Sequence, residues 1–332
     1  MTRLIVTTDS STAGAIQQAG LADLVIAIER RLVWGQLPSD AELKAFFAPR
    51  TAQPHGLHWL DDTPLWRLEE WGVKDRGFFE LLAECSSFEF WKGTGPNAQL
   101  LMLWLLDRWR SSTTTANSNF VERALTLAIA GIEPGELARP YPFANEIEPH
   151  YFKLASRAWK AFRAPTPESW YNLFKSNLVS LPQLDRCVSA LLEELPSPDS
   201  GLGATERRML KLIAKGGVQP FDVLKYTNRN ELPVYDYWEV GALLDGLAQC
   251  ERPAVTGLND GPFSLELHND PIRFDRYKQS RLYLTEFGKA VLEGNQNFRQ
   301  HNRIDRWWGG THLTNERLWR WDGETPSLVA PV

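Results

Sequence analysis

The chain reads as an α/β fold: a Rossmann-like parallel sheet first, then a helical middle, then a winged-helix-like α+β domain with an aromatic tail. Three observations predict it. Two short β-branched runs flank a capped helix near the start. A stretch of helical periodicity broken by prolines follows. A helix-rich segment with short strands then ends in a cluster of tryptophans.

The opening run Leu4-Ile5-Val6-Thr7-Thr8 has the β-branched character of a buried strand. Asp9-Ser10-Ser11-Thr12 follows it, and Ala13 to Ala19 reads as a helix closed by Gly20. Leu24-Val25-Ile26-Ala27-Ile28 is a second strand. Strand, helix and strand at this spacing make a βαβ unit, which demands parallel pairing. Short helices are expected between Leu37 and Trp71, punctuated by Pro38, Pro54 and Pro64, and a helix end at Phe78–Leu82. Phe88–Trp91 reads as a strand, Lys92–Asn97 as a loop and Ala98–Arg110 as an apolar helix. Ser111–Ser118 looks like a polar linker and Ala124–Ala130 like a fourth strand. These elements form a first domain over residues 1–135.

Residues 136–200 form the helical region. Phe152, Ala155, Trp159 and Phe162 recur at helical spacing, as do Leu184, Val188 and Leu191. Pro196-Ser197-Pro198-Asp199-Ser200-Gly201 marks a boundary. Over 201–296 the pattern is winged-helix-like. Thr205–Lys215, Phe221–Thr227 and Asp236–Cys250 are its helices. Ala254–Thr256 and Phe263–Leu267 are its wing strands, and Tyr283–Leu292 is a strand running into a last helix. Residues 297–332 are the tail. Trp307, Trp308, Trp319 and Trp321 give it more aromatic surface than an exposed terminus tolerates. A clasp that carries its charged side chains into a domain junction is expected.

The 332 residues carry a formal net charge of −5 and no long basic run, so a general nucleic-acid footprint is missing. Glu231–Gln249, spanning the third helix of the winged-helix-like region, holds no Lys or Arg, which disfavours DNA reading. Asp236, Glu239 and Asp245 instead suggest an acidic face that could dock a protein. Cys85, Cys187 and Cys250 are scattered, which fits a reducing cytoplasm better than a disulfide framework or a structural zinc site. Met1-Thr2-Arg3 leads straight into a strand and does not read as a signal peptide, and no apolar run is long enough for a membrane span. No metal site or particular cofactor is indicated. A small-molecule ligand fits best, and a protein partner or homodimer stays open.

Three places could carry chemistry. The turn Asp9-Ser10-Ser11-Thr12 lies beyond the carboxyl end of the first strand, where open parallel sheets bind ligands. Helix-terminal N–H groups with the Ser10, Ser11 and Thr12 hydroxyls could hold a phosphate or carboxylate. Asp9 would suit a ribose hydroxyl, an amine or a metal and would orient substrate in any reaction, or Asp9 and Ser10 merely cap the helix. The second place is Lys92-Gly93-Thr94-Gly95-Pro96-Asn97, where glycines permit close approach; Lys92, Gly93, Thr94 and Asn97 are its ligand candidates. A tight turn explains the same residues. The third place is the tail: His312 as acid or base, Arg306 and Arg320 as anion holders, or all three as parts of a structural clasp.

Gly201-Leu202, Thr205-Glu206-Arg207, Leu284-Thr285 with Gly288, Ile304-Asp305-Arg306-Trp307 with Gly309-Gly310 and His312-Leu313, and Trp319-Arg320-Trp321-Asp322 together resemble the bacterial domain-of-unknown-function 1835 family. Asp9-Ser10 and Ala158-Trp159 with Phe162 fit the same pattern, so the resemblance spans nearly the whole chain. It implies a shared fold and brings no established activity. Thr8 stands where the family often has Gly, and Phe90–Gly95 lacks the family's acidic and His residues. The expected function is therefore binding of a small polar or phosphorylated, nucleotide-like ligand over the sheet. A transcription regulator and a protein-interaction adaptor are the alternatives, and whether it is an enzyme is left open.

Overall fold

The computed structural model describes residues 2–52, 56–63, 65–73, 75–110, 119–125, 144–146, 149–176, 178, 183–225 and 232–331. The chain separates into two compact units. The first comprises Met1–Leu32, Leu37–Lys160 and Leu178–Leu184. The second comprises Val33–Gln36, Ala161–Asn177 and Asp185–Val332.

In the first unit, β1 (Arg3–Thr7), α1 (Ser10–Gln18) and β2 (Leu24–Ala27) form the expected βαβ unit. Helices α2 (Asp40–Phe46), α3 (Leu65–Glu70) and α4 (Phe78–Glu84) follow, then β3 (Ser87–Gly93), α5 (Pro96–Arg110), β4 (Asn119–Leu125) and β5 (Ala144–Glu146). Among the described residues the sheet order is β2-β1-β3-β4-β5, with β5 antiparallel to β4 and the other pairs parallel. The central strands are covered on both faces, which is why Leu4, Ile5, Val6, Phe88 and Phe90 form apolar runs. Helix α1 seals one face: Ile16 packs in a cluster with Ile5, Val25 and Trp91. Helix α5 is apolar all round because Leu100 to Leu106 are all buried. The fourth strand begins earlier in the chain than its apolar run suggests. Residues 126–130, like the linker expected at 111–118, lie outside the described residues.

Helix α6 (Pro149–Phe162) ends in the second unit, which continues with α7 (Glu168–Phe174), α8 (Leu184–Glu193), α9 (Ala204–Ile213), α10 (Pro220–Leu224) and α11 (Tyr237–Ala248). Then come β6 (Val255–Thr256), α12 (Leu265–Asn269), α13 (Pro271–Gln279), β7 (Tyr283–Leu284) and α14 (Glu286–Leu292). Strand β6 pairs antiparallel with β7. The strand expected at Phe263–Leu267 is instead the helix α12. Ser264 caps it by accepting from the Leu267 N–H, and Asp270 with Pro271 starts the next helix at once. The alternation Phe263, Leu265, Leu267 mimics a strand, yet Leu265 points to solvent.

The tail forms two hairpins, β8 (Asp305–Trp308) with β9 (Thr311–Thr314) and β10 (Arg320–Asp322) with β11 (Ser327–Val329). Trp308 and Trp321 are buried on helices of their own unit, while Trp307 and Trp319 are partly exposed. The Trp308 indole meets Phe162 and Trp170, and its Nε1–H donates to the Leu191 carbonyl at 2.7 Å. Trp321 sits edge-on to Tyr171 and Phe174, and its N–H donates to the Pro196 carbonyl at 3.0 Å. Among the described residues no helix is long and apolar enough to cross a membrane.

Candidate functional site

Parallel pairing of β1 with β3, Thr7 opposite Trp91, brings the turns Asp9–Thr12 and Lys92–Asn97 to one edge of the sheet. Their side chains are committed locally. The Asp9 carboxylate accepts from the Thr12 N–H at 2.7 Å and caps α1. The Ser10 N–H donates to the Glu29 carboxylate, and the Glu29 N–H donates to Asp62 at 3.3 Å. Burial raises the Asp62 carboxyl above the usual range, and the Glu29 charge adds to the rise. The helix terminus expected to hold an anion thus already carries two carboxylates of its own chain. Ser10 and Ser11 are exposed, while Thr12 is buried.

The second turn is equally occupied. The Lys92 side chain is wholly buried, and Gly93 ends β3. Thr94 is partly exposed in the turn that opens α5. Asn97 clamps the chain leaving β2: its Oδ1 accepts from the Leu32 N–H at 2.7 Å, and its Nδ2 donates to the Arg30 carbonyl at 2.9 Å.

In the second unit, Arg306 on β8 points inward. Its Nη2 lies 3.5 Å from the Glu206 carboxylate, which also receives Arg299 at 2.7 Å. Burial would raise the Glu206 carboxyl, but the Arg306 and Arg299 charges and hydrogen bonds from Gly203 and Arg299 hold it below the usual range. His312 stacks on Trp307 at 4.6 Å, and its Nε2 meets Asp305 at 2.6 Å on the outer face of the β8–β9 hairpin. Arg320 donates to the Ala330 carbonyl at 3.1 Å. Arg306, His312 and Arg320 therefore each have a structural partner within the tail or its supporting helices.

The same unit contains an open groove of about 590 Å³ that sequence reasoning missed. That volume lies within the ~300–1,000 Å³ typical of small-molecule sites. One wall is α8, where Arg186, Ala190 and Glu193 share a helical face. The opposite wall is α9, with Arg207, Arg208 and Lys211 at i, i+1 and i+4. Leu232 and Val234 add an apolar side. Arg208 is pinned by the Lys225 and Val223 carbonyls at 3.2 and 3.1 Å. The Arg207 Nε is buried with no hydrogen-bond partner.

Glu194 also lines the groove and is 4% exposed. Its carboxylate accepts from the Thr205 hydroxyl at 2.5 Å and from the Thr205 N–H at 3.2 Å, at the start of α9. Burial pushes this carboxyl up to about 7. The Thr205 hydrogen bonds and Arg306 counter the rise, and Glu206 adds to it. Among the described residues the lining holds four cations and two carboxyls, so it favours anions even with both acids ionised. The signal available in the sequence was the Arg207, Arg208, Lys211 pattern on the first helix of the winged-helix-like region, which on its own reads as a solvated face.

Glu239 and Asp245 of α11 are buried, and Asp236 with Glu239 forms that helix's capping box. Of the three acidic residues expected there as a protein dock, Glu239 and Asp245 are turned away from solvent and Asp236 is exposed. Among the described residues no group of three or more His, Cys, Asp or Glu side chains is arranged to hold a metal ion. No protein-family model matches the chain, and no curated protein matches it.

Proposed function

We propose that this protein binds a small phosphorylated or carboxylated ligand of about nucleotide size in the cationic groove between α8 and α9. The observation that carries the reading is the convergence of Arg186, Arg207, Arg208 and Lys211 on one cavity with an apolar side wall. Charge supports the groove over the end of the parallel sheet. A phosphate at Asp9–Thr12 would meet the Asp9 and Glu29 carboxylates, whereas in the groove it meets guanidinium groups that can bind it in a bidentate way. Ala190, Leu232 and Val234 would cover the organic part of the ligand.

The test is a thermal-shift screen of pyrophosphate, nucleotides and sugar phosphates on the wild type, on Arg207→Glu with Lys211→Glu, and on Asp9→Ala. The groove reading expects stabilisation that the charge-reversed protein loses and Asp9→Ala keeps. Loss with Asp9→Ala alone would return the site to the sheet edge. No stabilisation by any compound would end the ligand-binding reading.

A winged-helix reading of the second unit has its own support. Helices α9, α10 and α11 precede the β6–β7 pair, and an antiparallel bridge from Val218 to Leu282 adds a further rung before α14. We read this as a winged-helix scaffold with α12 and α13 inserted in the wing. Helix α11 carries no Lys or Arg, which argues against its use as a DNA-reading helix. The resemblance to the domain-of-unknown-function 1835 family belongs to the same proposal, since its tail motif supplies Arg306, Gly309 and Gly310, the residues that seat the tail.

A further inference from the structure

We infer that the groove takes up a proton together with its anion, and that Glu194 is the group that binds it. This rests on the reading of the groove as an anion site. The buried carboxyl lines the cavity beside the first turn of α9, and its hydrogen bonds to the Thr205 N–H and hydroxyl hold it there. An anion drawn in by Arg207 and Lys211 is brought toward that carboxylate in a low-dielectric pocket, where like charges repel strongly. Protonating Glu194 removes that repulsion.

The other charged groups around Glu194 do not supply the proton. Arg306 from β8 and Glu206 from α9 face it from the interior, and Glu206 is held ionised by Arg306 and Arg299. On the groove side stand Arg186 and Glu193 of α8 with Arg207, Arg208 and Lys211 of α9, and among the described residues no histidine lines the cavity. Burial already lifts the Glu194 carboxyl to about 7, so a modest push from a bound anion is enough to protonate it near neutrality. The ligand class that follows is a dianion, such as a phosphomonoester.

Sulfate is the probe, because it stays dianionic throughout the range and its pH dependence belongs to the protein. Calorimetric titrations at constant ionic strength would run from about pH 6 to about pH 8.5, on either side of the titration. Affinity should fall with rising pH by up to about tenfold per unit, the limit for one coupled proton. Buffers of different ionisation enthalpy should report proton uptake by the wild type, a readout that needs no variant. Glu194→Gln should bind with a flat pH profile and no uptake. Sulfate that binds wild type equally across the range with no proton exchanged would overturn the inference while leaving the groove intact. No sulfate binding at any pH, by wild type or variant, would overturn the groove reading and the inference with it.

Discussion

A β-carbon on Gly310 would lie 2.1 Å from the Arg163 carbonyl oxygen, and one on Gly309 would lie 2.3 Å from that of Phe162. Gly309 also has a φ of +55, a left-handed conformation that side chains resist. These glycines let the β8–β9 turn lie directly on the backbone that leaves α6. Gly310→Ala should therefore lower stability by about 1–3 kcal/mol, measured as a urea midpoint. Gly14→Ala should do the reverse: it is mid-helix with nothing near its missing β-carbon, so a gain of about 0.5–1 kcal/mol is expected. Asp245 gives a pH signature. Burial lifts its carboxyl to about 6 from an ordinary 3.8, with a partial offset from the Phe263 N–H it accepts at 2.6 Å. A raised carboxyl favours the folded state while protonated. That contribution is whole below the unfolded value of 3.8 and is lost as pH rises through 6. Urea midpoints of Asp245→Asn should show less decline over this window than those of wild type; parallel profiles would refute the assignment.

At the scale of elements, the α9–β8 junction depends on a buried charge pair. Arg306→Met would leave the Glu206 carboxylate facing only Arg299, which should cost about 3–5 kcal/mol in the single variant. Adding Glu206→Gln should not restore stability, because Arg299 then loses its carboxylate, and a double-mutant cycle measures the Arg306–Glu206 coupling. The elements themselves were legible where local chemistry agrees with tertiary demand. The β1-α1-β2 unit follows from a buried strand, an Asp9 cap and a second apolar run. The α12 segment was misread because period-two alternation outweighed Ser264 and Asp270, residues whose capping competes with strand pairing. The candidate site was less legible still. Asp9 looked available to a ligand because nothing in the sequence says that Glu29 folds back onto Ser10. Arg186 and Arg207 are neighbours only after α8 and α9 pack, and no spacing rule connects them.

Charge separates the readings at the scale of the whole molecule. The chain carries −5 overall, and Arg186, Arg207, Arg208 and Lys211 gather on a groove of small-molecule size. Random duplex DNA should accordingly bind weakly, with a shallow dependence on salt; a steep slope would favour the regulator reading. The second unit also has a temporal asymmetry. Strand β8 supplies the cation for Glu206 and the indole that meets the Leu191 carbonyl, yet it is synthesised a hundred residues after the helix that holds Glu206. While the ribosome is still extending the chain, that helix waits with an under-neutralised acid and that carbonyl lacks its indole donor. Nascent chains stalled before Asp305 should therefore remain protease-sensitive around α8 and α9, and closure should come only when the last hairpins emerge.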